Sequence, residues 1–473
     1  MSVRGGILAY GTYVPRFRLR MADVSAALRG GPSVGERAVA GFDEDTTTMA
    51  VDAARSALRS NPALRPRIAE VWLATTWPTY ADKTNATALH AALGLNPNAG
   101  AYDLAGSVRS TCAALGASFD ADGPDLRLVV GSDLRGGPAG SPDERDGGDG
   151  AGALVIGTGD VGANLLAKGA TTREFLDRWR SPGEWGSRTW EERFGESVYL
   201  PAGDSAIREA LRKADIGEPS IDRIAVCGPQ TRAVSNVRRS LKGRGHAVSD
   251  PLPWGCTGAA EPLMALASLL DQGTPEETLA LLVLADGADC FLFRTTEILT
   301  QLQARQHPHR ARSAVVDYPS YLTWRGELRR QVPRRPEPDI PVAPATGREE
   351  HWKFAFQGSR CTRCQSVHLP PNRVCANCGA VDQMEPAPSG EQLGTVSATT
   401  SDHLAWSLSP PVVVAIVDFD QGGRVQCEVA DVTDGELRVG DRVQMSFRVG
   451  YTVSGIANYV WKAKRLDDRE NQQ

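Results

Sequence analysis

Cys361-Thr-Arg-Cys364, followed by Cys375-Ala-Asn-Cys378, sets four cysteines in a C-x2-C-x10-C-x2-C frame near the end of a 473-residue chain. Two such knuckles on short loops can arrange four thiolates tetrahedrally around one zinc ion. Four sulfurs fill the coordination shell and leave no position for water, so the frame predicts a structural zinc. Two disulfide bonds are the alternative. We therefore expect a small zinc ribbon over residues 351–388.

A β pattern follows the cysteine frame. Val412–Phe419 is an apolar strand, Gln421-Gly-Gly423 is a hairpin turn, Arg424–Val429 returns, and Val439–Val443 begins a further strand. About five short strands in roughly 75 residues fit a small β-barrel, best an OB-fold, over residues 389–466. Because no strand interleaves aromatic and basic residues, contact with protein is favoured over contact with nucleic acid.

Residues 301–350 precede the frame and differ from it in composition. They are rich in Arg, Pro and Gln, and they include Val332-Pro-Arg-Arg-Pro-Glu-Pro-Asp-Ile-Pro341. Such a run extends as polyproline and cannot build a core. The pattern predicts a helix over Tyr318–Arg330 and then a linker. The basic residues of the linker either form a solvated spacer or contact phosphates.

Residues 1–300 alternate apolar strand-like runs with helical stretches. Val71–Thr76, Leu126–Ser132 and Leu279–Leu284 are predicted as buried strands. Thr46–Ser60 has apolar residues at helical spacing. Alternation of this kind predicts an α/β fold with a mostly parallel or mixed sheet covered by helices.

Charge and cysteine usage restrict the class of protein. The formal net charge is −5, which argues against a basic, nucleic-acid-binding surface over the whole chain. No stretch reaches the roughly 18 uncharged apolar residues of a membrane span, and the apolar segment Ile7–Tyr10 is too short for a signal-peptide core. The cysteines outside the frame are scattered, which fits reduced thiols in the cytoplasm: Cys112, Cys227, Cys256, Cys290 and Cys427.

Seven segments of the first 300 residues carry a family resemblance through their order and spacing along the chain: Gly5–Pro15, Tyr80–Lys83, Ala91–Leu95, Val129–Asp133, Gly140–Pro142, Gly148–Leu154 and Asp286–Asp289. This part of the chain resembles the thiolase superfamily, and within it 3-hydroxy-3-methylglutaryl-CoA synthase and the type III ketoacyl synthases. The resemblance implies two similar βαβαβαββ halves, near residues 1–160 and 161–300, with helices sandwiched between two sheets.

The C-terminal part carries a second resemblance. Phe354–Cys361 and His368–Pro371 are similar to segments of the zinc-ribbon and OB-fold accessory proteins that accompany thiolases. In that family such proteins bridge condensing subunits or complete the site of thiolase-like aldolases. Both resemblances together imply acyl-CoA chemistry.

The resemblance also implies where catalytic residues would stand. In the synthases a cysteine takes the acyl group from CoA, a glutamate acts as general acid and base, and a histidine polarises the second thioester. Counted from Asp103, the cysteine position falls on Val108, while the glutamate and histidine positions fall on Thr76 and Gly228. An asparagine position of the type III ketoacyl synthases falls on Cys256. The chain therefore lacks the family's catalytic residues at these positions.

Cysteines near the vacated positions are the first alternative source of chemistry. Cys112 could replace the nucleophile only through a local shift, which would place it one turn inside the helix and away from the terminus that lowers a thiol pKa. A buried helix cysteine is the other interpretation of Cys112. Cys227 and Cys256 flank vacated positions and form either a catalytic pair or a pair of small buried residues.

Other polar residues are candidates as well. Asp82 and Lys83 could act in acid–base steps or begin a solvated helix, and Arg109 could bind a phosphate or carboxylate. His90 and His246 are predicted to be structural or exposed. Three tyrosines could serve as bases in chemistry without a cysteine: Tyr80, Tyr102 and Tyr199.

Two classes of function follow. In the first, the chain is a subunit that binds acyl-CoA and works beside a thiolase-type partner, which supplies the cysteine for forming or cleaving a C–C bond. In the second, it is itself an enzyme, such as a retro-aldolase on 3-hydroxyacyl-CoA, because such cleavage needs only enolate stabilisation and a base. The thiolase resemblance further implies a homodimer.

Overall fold

The computed structural model of the protein describes residues 5–306, 313–332 and 342–466. The first part is an α/β fold with these strands: β1 (Gly6–Tyr13), β2 (Phe17–Arg20), β3 (Glu36–Val39), β4 (Ile68–Thr75), β5 (Gly100–Ala105), β6 (Leu126–Asp133), β7 (Gly150–Gly157), β8 (Ala163–Thr172), β9 (Arg178–Trp179), β10 (Arg188–Thr189), β11 (Arg223–Cys227), β12 (Thr278–Leu284), β13 (Gly287–Thr295) and β14 (Ala314–Val315). The three buried strands predicted from the sequence correspond to β4, β6 and β12.

The helices of this part are α1 (Met21–Ala27), α2 (Thr46–Arg59), α3 (Ala86–Ala92), α4 (Arg109–Asp120), α5 (Pro142–Asp146), α6 (Glu192–Ala214), α7 (Thr231–Gly243), α8 (Glu261–Gln272), α9 (Ile298–Ala304) and α10 (Tyr318–Trp324). Asp45 caps α2 by accepting a hydrogen bond from the backbone of Thr48 at 2.8 Å, which fixes the start of that helix where the sequence predicts it. In the described ranges, no helix has the length and apolar character that crossing a membrane requires.

Nine strands are hydrogen-bonded in the order β11-β12-β13-β8-β1-β7-β6-β4-β5. The first half of the chain contributes β1, β4, β5, β6 and β7, and the second half contributes the other four. The halves meet where β1 pairs with β8, through only two residue pairs, Gly6 with Asn164 and Ile7 with Ala163. The nine strands are thus two sheets joined at one edge.

Helices cover both sheets and fill the space between them. α4 and α8 lie in the core between the two sheets. α2 and α3 pack on the outer face of the first sheet, and α6 and α7 pack on the outer face of the second. This arrangement confirms the predicted layered α/β fold of two similar halves.

Part of residues 301–350 is folded onto the first half. β14 pairs in parallel with β2, and Tyr318 and Tyr321 of α10 are buried beside β2 and β3. The predicted helix over Tyr318–Arg330 is too long. The helix ends at Trp324, because Gly326 turns the chain with a positive φ of 76°. The Pro-rich run predicted as a linker lies almost wholly outside the described residues.

The C-terminal part begins with two short helices, α11 (Ala343–Arg348) and α12 (Glu350–Lys353). A three-stranded ribbon and a closed five-stranded barrel follow, which confirms the predicted zinc-ribbon and OB-fold architecture. Their strands are β15 (Gln357–Cys361), β16 (Val367–His368), β17 (Met384–Pro388), β18 (Leu393–Asp402), β19 (Val412–Phe419), β20 (Arg424–Ala430), β21 (Arg442–Val453) and β22 (Ile456–Arg465).

The barrel packs on the outer face of α2, so this helix is covered on both sides. Phe447 and Trp461 of the barrel belong to the same apolar core as Met49 of α2. Arg55 of α2 is buried, lies 4.9 Å from the centre of the Trp461 ring, and donates to Glu391 at 2.8 Å. Residues far apart in sequence therefore form one continuous core across the two domains.

A buried cluster of charges also joins the barrel to the first half. Arg448 of β21 is fully buried and lies 2.7 Å from Glu44 and 2.8 Å from Asp431. Lys462 lies 3.0 Å from Asp43, and Lys464 lies 3.0 Å from Asp431. Burial raises the pKa of Glu44 from its usual 4.5 to about 7, against the opposing charge of Arg448. Three cations thus pair with three buried carboxylates, and Lys462 also binds the half-exposed carboxylate of Glu428 at 2.9 Å.

Candidate functional site

The four frame cysteines converge as the sequence predicts. Their sulfur atoms all lie within 4.8 Å of one another, with 3.7 Å between Cys361 and Cys378 and 3.4 Å between Cys364 and Cys375. Tetrahedral zinc with bonds of about 2.3 Å separates its sulfur ligands by about 3.8 Å, whereas a disulfide bond is about 2.05 Å long. The donor set therefore fits one zinc ion, which these four residues would hold.

The three positions that the resemblance assigns to catalytic residues lie near the carboxyl ends of strands. Thr76 follows β4, Val108 precedes α4, and Gly228 follows β11. Thr76 and Val108 line a cavity of about 520 Å³, which Pro229 also lines. Carboxyl ends of strands are where α/β folds place ligand sites. Among the described residues that line this cavity, none is a cysteine or a histidine.

Val108 and Cys112 lie in the core between the sheets. Val108 is 3% exposed and stands just before the first residue of α4. Cys112 is one turn further along and 5% exposed, and it does not line the cavity. Burial raises the pKa of the Cys112 thiol well above its usual value, which disfavours the thiolate that acyl transfer needs.

Gly228 has no room for a side chain. Its φ is +153°, and a β-carbon there would lie 2.3 Å from the carbonyl oxygen of Leu284. Any larger residue, a histidine included, would require the backbone to shift.

Cys256 and Glu261 form a buried pair beside Gly228. The Cys256 sulfur donates to Oε2 of Glu261 at 3.2 Å and lies 3.6 Å from the Gly228 carbonyl oxygen. Burial raises the pKa of Glu261 to about 7, so this carboxyl group can exchange a proton near neutrality. Cys227, in contrast, packs in the core between the sheets. The described contacts include no hydrogen bond between Cys227 and Cys256.

Asp133, at the end of β6, organises the backbone around Thr76. It is fully buried and accepts five hydrogen bonds, from the side chain of Thr75, the backbone and side chain of Thr76, and the backbones of Trp77 and Ala259. Asp133 therefore holds the end of β4 against the turn that precedes α8.

Three arginines line the same cavity: Arg135, Arg178 and Arg180. Arg178 pairs with Asp143 at 2.6 Å. The guanidinium of Arg180 lies 4.1 Å from the centre of the Trp77 ring, a cation–π arrangement. Burial, and then the positive charge of Arg135, lowers the pKa of Arg180.

The carboxyl groups of Asp177 and Asp286 and the side chain of Tyr199 line another part of the cavity. Burial raises the pKa of Asp177, and burial followed by the charge of Asp177 raises the pKa of Tyr199. Of the three tyrosines proposed as bases, Tyr199 alone lines the cavity. Tyr80 accepts a hydrogen bond from the backbone of Ala457 in the barrel at 2.9 Å, and Tyr102 is 46% exposed on β5.

The remaining candidates have structural contacts. Arg109 binds the carboxylate of Asp289 at 2.7 Å. Lys83 donates to Thr87 on α3, and Asp82 is exposed beside it. The rings of the two histidines face local acceptors at 2.9 Å: His90 faces the Asn96 carbonyl, and His246 faces Glu218.

Sequence reasoning missed the arginines of the cavity. The signal was present for two of them, since Arg178 and Arg180 alternate with tryptophan in the run Asp177-Arg-Trp-Arg180. This run lies in the connection between β8 and α6, and connecting segments often carry binding residues. The sequence around Arg135 did not mark it as a cavity residue, because only the fold brings Arg135 and Arg180 together at Thr76.

Proteins of known identity match most of the chain. The hydroxymethylglutaryl-CoA synthase of Pyrobaculum neutrophilum is 30% identical over 345 residues, which cover 68% of this chain and 97% of the relative. That of Methanopyrus kandleri is 27% identical over 322 residues, covering 64% and 91%.

Solved structures and a family model match as well. MvaS in complex with 3-hydroxy-3-methylglutaryl-CoA is 20% identical, covers 72% of this chain and 95% of its own, and superposes with a TM-score of 0.61. A ketoacyl synthase III from Thermus thermophilus is 23% identical, covers 61% and 98%, and has a TM-score of 0.52. Residues 391–448 match the family "ChsH2, C-terminal OB-fold domain". The chain therefore belongs to the hydroxymethylglutaryl-CoA synthase family, with a C-terminal OB-fold domain added.

Proposed function

We propose that this protein binds acyl-CoA without taking the acyl group onto a cysteine of its own. It acts as a subunit of a C–C bond-forming or bond-cleaving acyltransferase, beside a thiolase-type partner that carries the reactive cysteine. The observation that carries this proposal is the cavity itself. The residue ahead of α4 is a buried valine, Val108, and no cysteine or histidine is among the described residues that line the cavity.

Coenzyme A thioesters are the proposed ligands because solved structures of the same fold hold such molecules. One solved structure of the fold holds 3-hydroxy-3-methylglutaryl-CoA, and another holds CoA. The resemblance of residues 354–371 to thiolase accessory proteins supports a thiolase-type partner. We also propose that the chain forms a homodimer and works in the cytoplasm, where its scattered cysteines stay reduced.

A cysteine-free enzyme is the second candidate. Tyr199 and Asp286 line the cavity, and Asp177 adds a buried carboxyl group to it. A base and an acid in one cavity are what retro-aldol cleavage of a 3-hydroxyacyl-CoA requires. This candidate predicts turnover by the isolated chain, whereas the subunit proposal predicts none.

We expect no covalent acyl-enzyme. Incubation of the purified chain with acetyl-CoA or acetoacetyl-CoA should leave its intact mass unchanged, because the Cys112 thiol is buried and Val108 is not a nucleophile. The variant Val108→Cys should likewise show little acyl transfer, since Thr76 and Gly228 supply neither an acid–base group nor a polarising group. An acyl adduct mapped to Cys112 would restore a synthase mechanism.

We expect activity to depend on a partner. The full-length chain, affinity-purified from its native host, should bring down a thiolase-like protein, and C–C bond chemistry on acyl-CoA should require both. The isolated chain and the isolated partner are the matched controls. Full turnover by the isolated chain would reject the subunit proposal in favour of the cysteine-free enzyme.

A further inference from the structure

One wall of the cavity is a loop that makes contacts on two faces. Residues 76–85 join β4 to α3, and we call them the wall loop. Four of them line the cavity: Thr76, Trp77, Pro78 and Ala81. Thr79 and Tyr80 stand between these residues in sequence and are not among the described residues that line the cavity. The wall loop therefore shows one face to the cavity and another to the rest of the protein.

The second face of the wall loop is bonded to β22 of the barrel. The hydroxyl group of Tyr80 accepts a hydrogen bond from the backbone of Ala457 at 2.9 Å. The hydroxyl groups of Thr79 and Tyr459 donate to the same carboxylate oxygen of Asp45, at 3.2 and 2.8 Å. Tyr459 is 3% exposed, and hydrogen bonds are electrostatically stronger where water is excluded. Two tyrosine hydroxyls, one from the loop and one from the barrel, therefore join the wall loop to β22.

Trp77 connects this contact with the opposite side of the cavity. The side-chain hydroxyl of Thr46 on α2 donates to the Trp77 carbonyl oxygen at 2.7 Å. The Trp77 ring packs against the guanidinium of Arg180 at 4.1 Å and the ring of Trp185 at 5.0 Å. Both neighbours belong to the connection between β8 and α6, in which residues 177–184 line the cavity. The position of the wall loop therefore affects both sides of the ligand space.

The wall loop is fixed at both ends. The side chain of Asn85 accepts from the backbone N–H of Tyr80 at 2.9 Å and donates to the Tyr80 carbonyl oxygen at 3.0 Å. At the other end, Asp133 accepts from the backbone and from the hydroxyl group of Thr76, each at 2.7 Å. A shift of Tyr80 is therefore transmitted to Ala81, its neighbour on the cavity face.

The barrel contributes no lining residue of its own. None of the described residues that line the cavity belongs to the barrel, so the effect of the barrel on a bound ligand is indirect. The wall loop is the element that touches both. An element held by two partners couples them, because each partner favours the form that the other also prefers, and this coupling is reciprocal.

We infer that Tyr80 and Tyr459 are positioning residues, which hold the wall loop in the form that binds a ligand, so that ligand binding and the contact with β22 stabilise each other. The inference rests on the proposed binding of CoA thioesters and adds a control on that binding. A partner that moves β22 would change the affinity of the cavity without entering it.

Isothermal titration of the full-length chain with acetyl-CoA tests the effect of the barrel contact on the ligand. Tyr80→Phe and Tyr459→Phe keep the aromatic rings and remove only the hydroxyls. Each should weaken acetyl-CoA binding about fivefold, the effect of about one hydrogen bond. The matched control is Ser446→Ala, which removes a 2.9 Å hydrogen bond from the barrel to Asp52 of α2. Because that bond does not involve the wall loop, the control should leave the affinity unchanged.

Hydrogen exchange tests the reciprocal effect of the ligand on the barrel, which a purely structural role of the two tyrosines would not produce. Saturating acetyl-CoA should slow the exchange of residues 456–461 in the wild-type chain by a similar factor, about fivefold, although the ligand does not touch the barrel. The slowing should be absent from Tyr80→Phe and present in Ser446→Ala.

Three results would overturn this inference alone. They are wild-type affinity in both tyrosine variants, an equal loss of affinity in Ser446→Ala (which would assign the effect to barrel attachment in general), and acetyl-CoA binding without slower exchange in β22. If Tyr459→Phe does not fold, as judged by thermal unfolding, Tyr80→Phe carries the test. Absence of acetyl-CoA binding by the wild-type chain would reject the proposed ligand together with the inference, so the two failures are distinguishable.

Discussion

Replacing Cys375 by serine should release the metal and unfold the ribbon formed by β15, β16 and β17. The wild-type chain should hold about one zinc ion by elemental analysis, and the Cys375→Ser chain should hold close to none. Structural zinc sites of this type contribute about 10–16 kcal/mol of binding free energy to folding. The ribbon has a buried core of only three residues, two of them ligands: Cys361, Cys375 and Ala380. Outside this cluster, Val367 and Leu369 of the ribbon pack on the apolar core that includes the barrel.

The rest of the molecule should survive the loss of zinc. The barrel has its own closed sheet and is held to the first half of the chain by the ion pairs of Arg55 with Glu391 and of Arg448 with Glu44. Hydrogen exchange should therefore rise in residues 357–388 while β12 and β21 stay protected. The matched control is Cys427→Ser, which alters a half-buried cysteine of β20 outside the frame. A metal-free preparation whose ribbon amides remain protected from hydrogen exchange would contradict the structural role of zinc.

Replacing Arg448 by methionine should open the contact between the barrel and α2. Removing one partner from a buried ion cluster costs about 3–5 kcal/mol, because the remaining charges lose their compensation. Here the carboxylates of Glu44 and Asp431 lose their closest cation. The opening free energy, measured by hydrogen exchange of β21 and β22, should fall by about that amount. Arg424→Met breaks an ion pair with Asp418 on the same barrel, in which the Arg424 side chain is 65% exposed, and it should cost less than about 1 kcal/mol.

The Arg448→Met defect should also depend on pH. The pKa of Glu44 is already raised from its usual 4.5 to about 7, and Arg448 opposes that rise. Without Arg448 the folded-state pKa goes higher still. A carboxyl group with a raised folded pKa loses stability as pH rises above its unfolded value. Below about pH 7 Glu44 is protonated in both folded proteins, so the deficit of the variant relative to wild type should be constant there and should grow as the pH rises above about 7. A deficit independent of pH over the whole range would point to lost packing instead.

Features that depend on local spacing were predictable from the sequence. The cysteine frame gave a site whose ligands lie within 17 residues of each other, and the strands β4, β6, β12 and β19 follow apolar runs. The assignment of the family's catalytic positions to Thr76, Val108 and Gly228 came from the resemblance and not from local spacing. Whether those positions are catalytically silent stays a prediction until the mass measurement is made.

Features that depend on distant pairs were not predictable. Arg448 and Asp43 are 405 residues apart, and a single charged residue on a strand carries no sign of its partner. The same holds for Arg135 and Arg180. The folding of residues 313–325 onto β2 was missed because composition dominated the interpretation, whereas the burial of Tyr318 and Tyr321 determines the outcome.

The double covering of α2 has a consequence for biosynthesis. Asp52 of α2 receives a hydrogen bond from Ser446, 394 residues later. At translation rates of about 5–20 residues per second, about 20–80 s pass between the emergence of the two groups from the ribosome. During that time the nascent α2 presents Arg55 and its apolar neighbours to solvent. A chaperone that shields this helix until the last strand is made would be expected to raise the yield of folded protein.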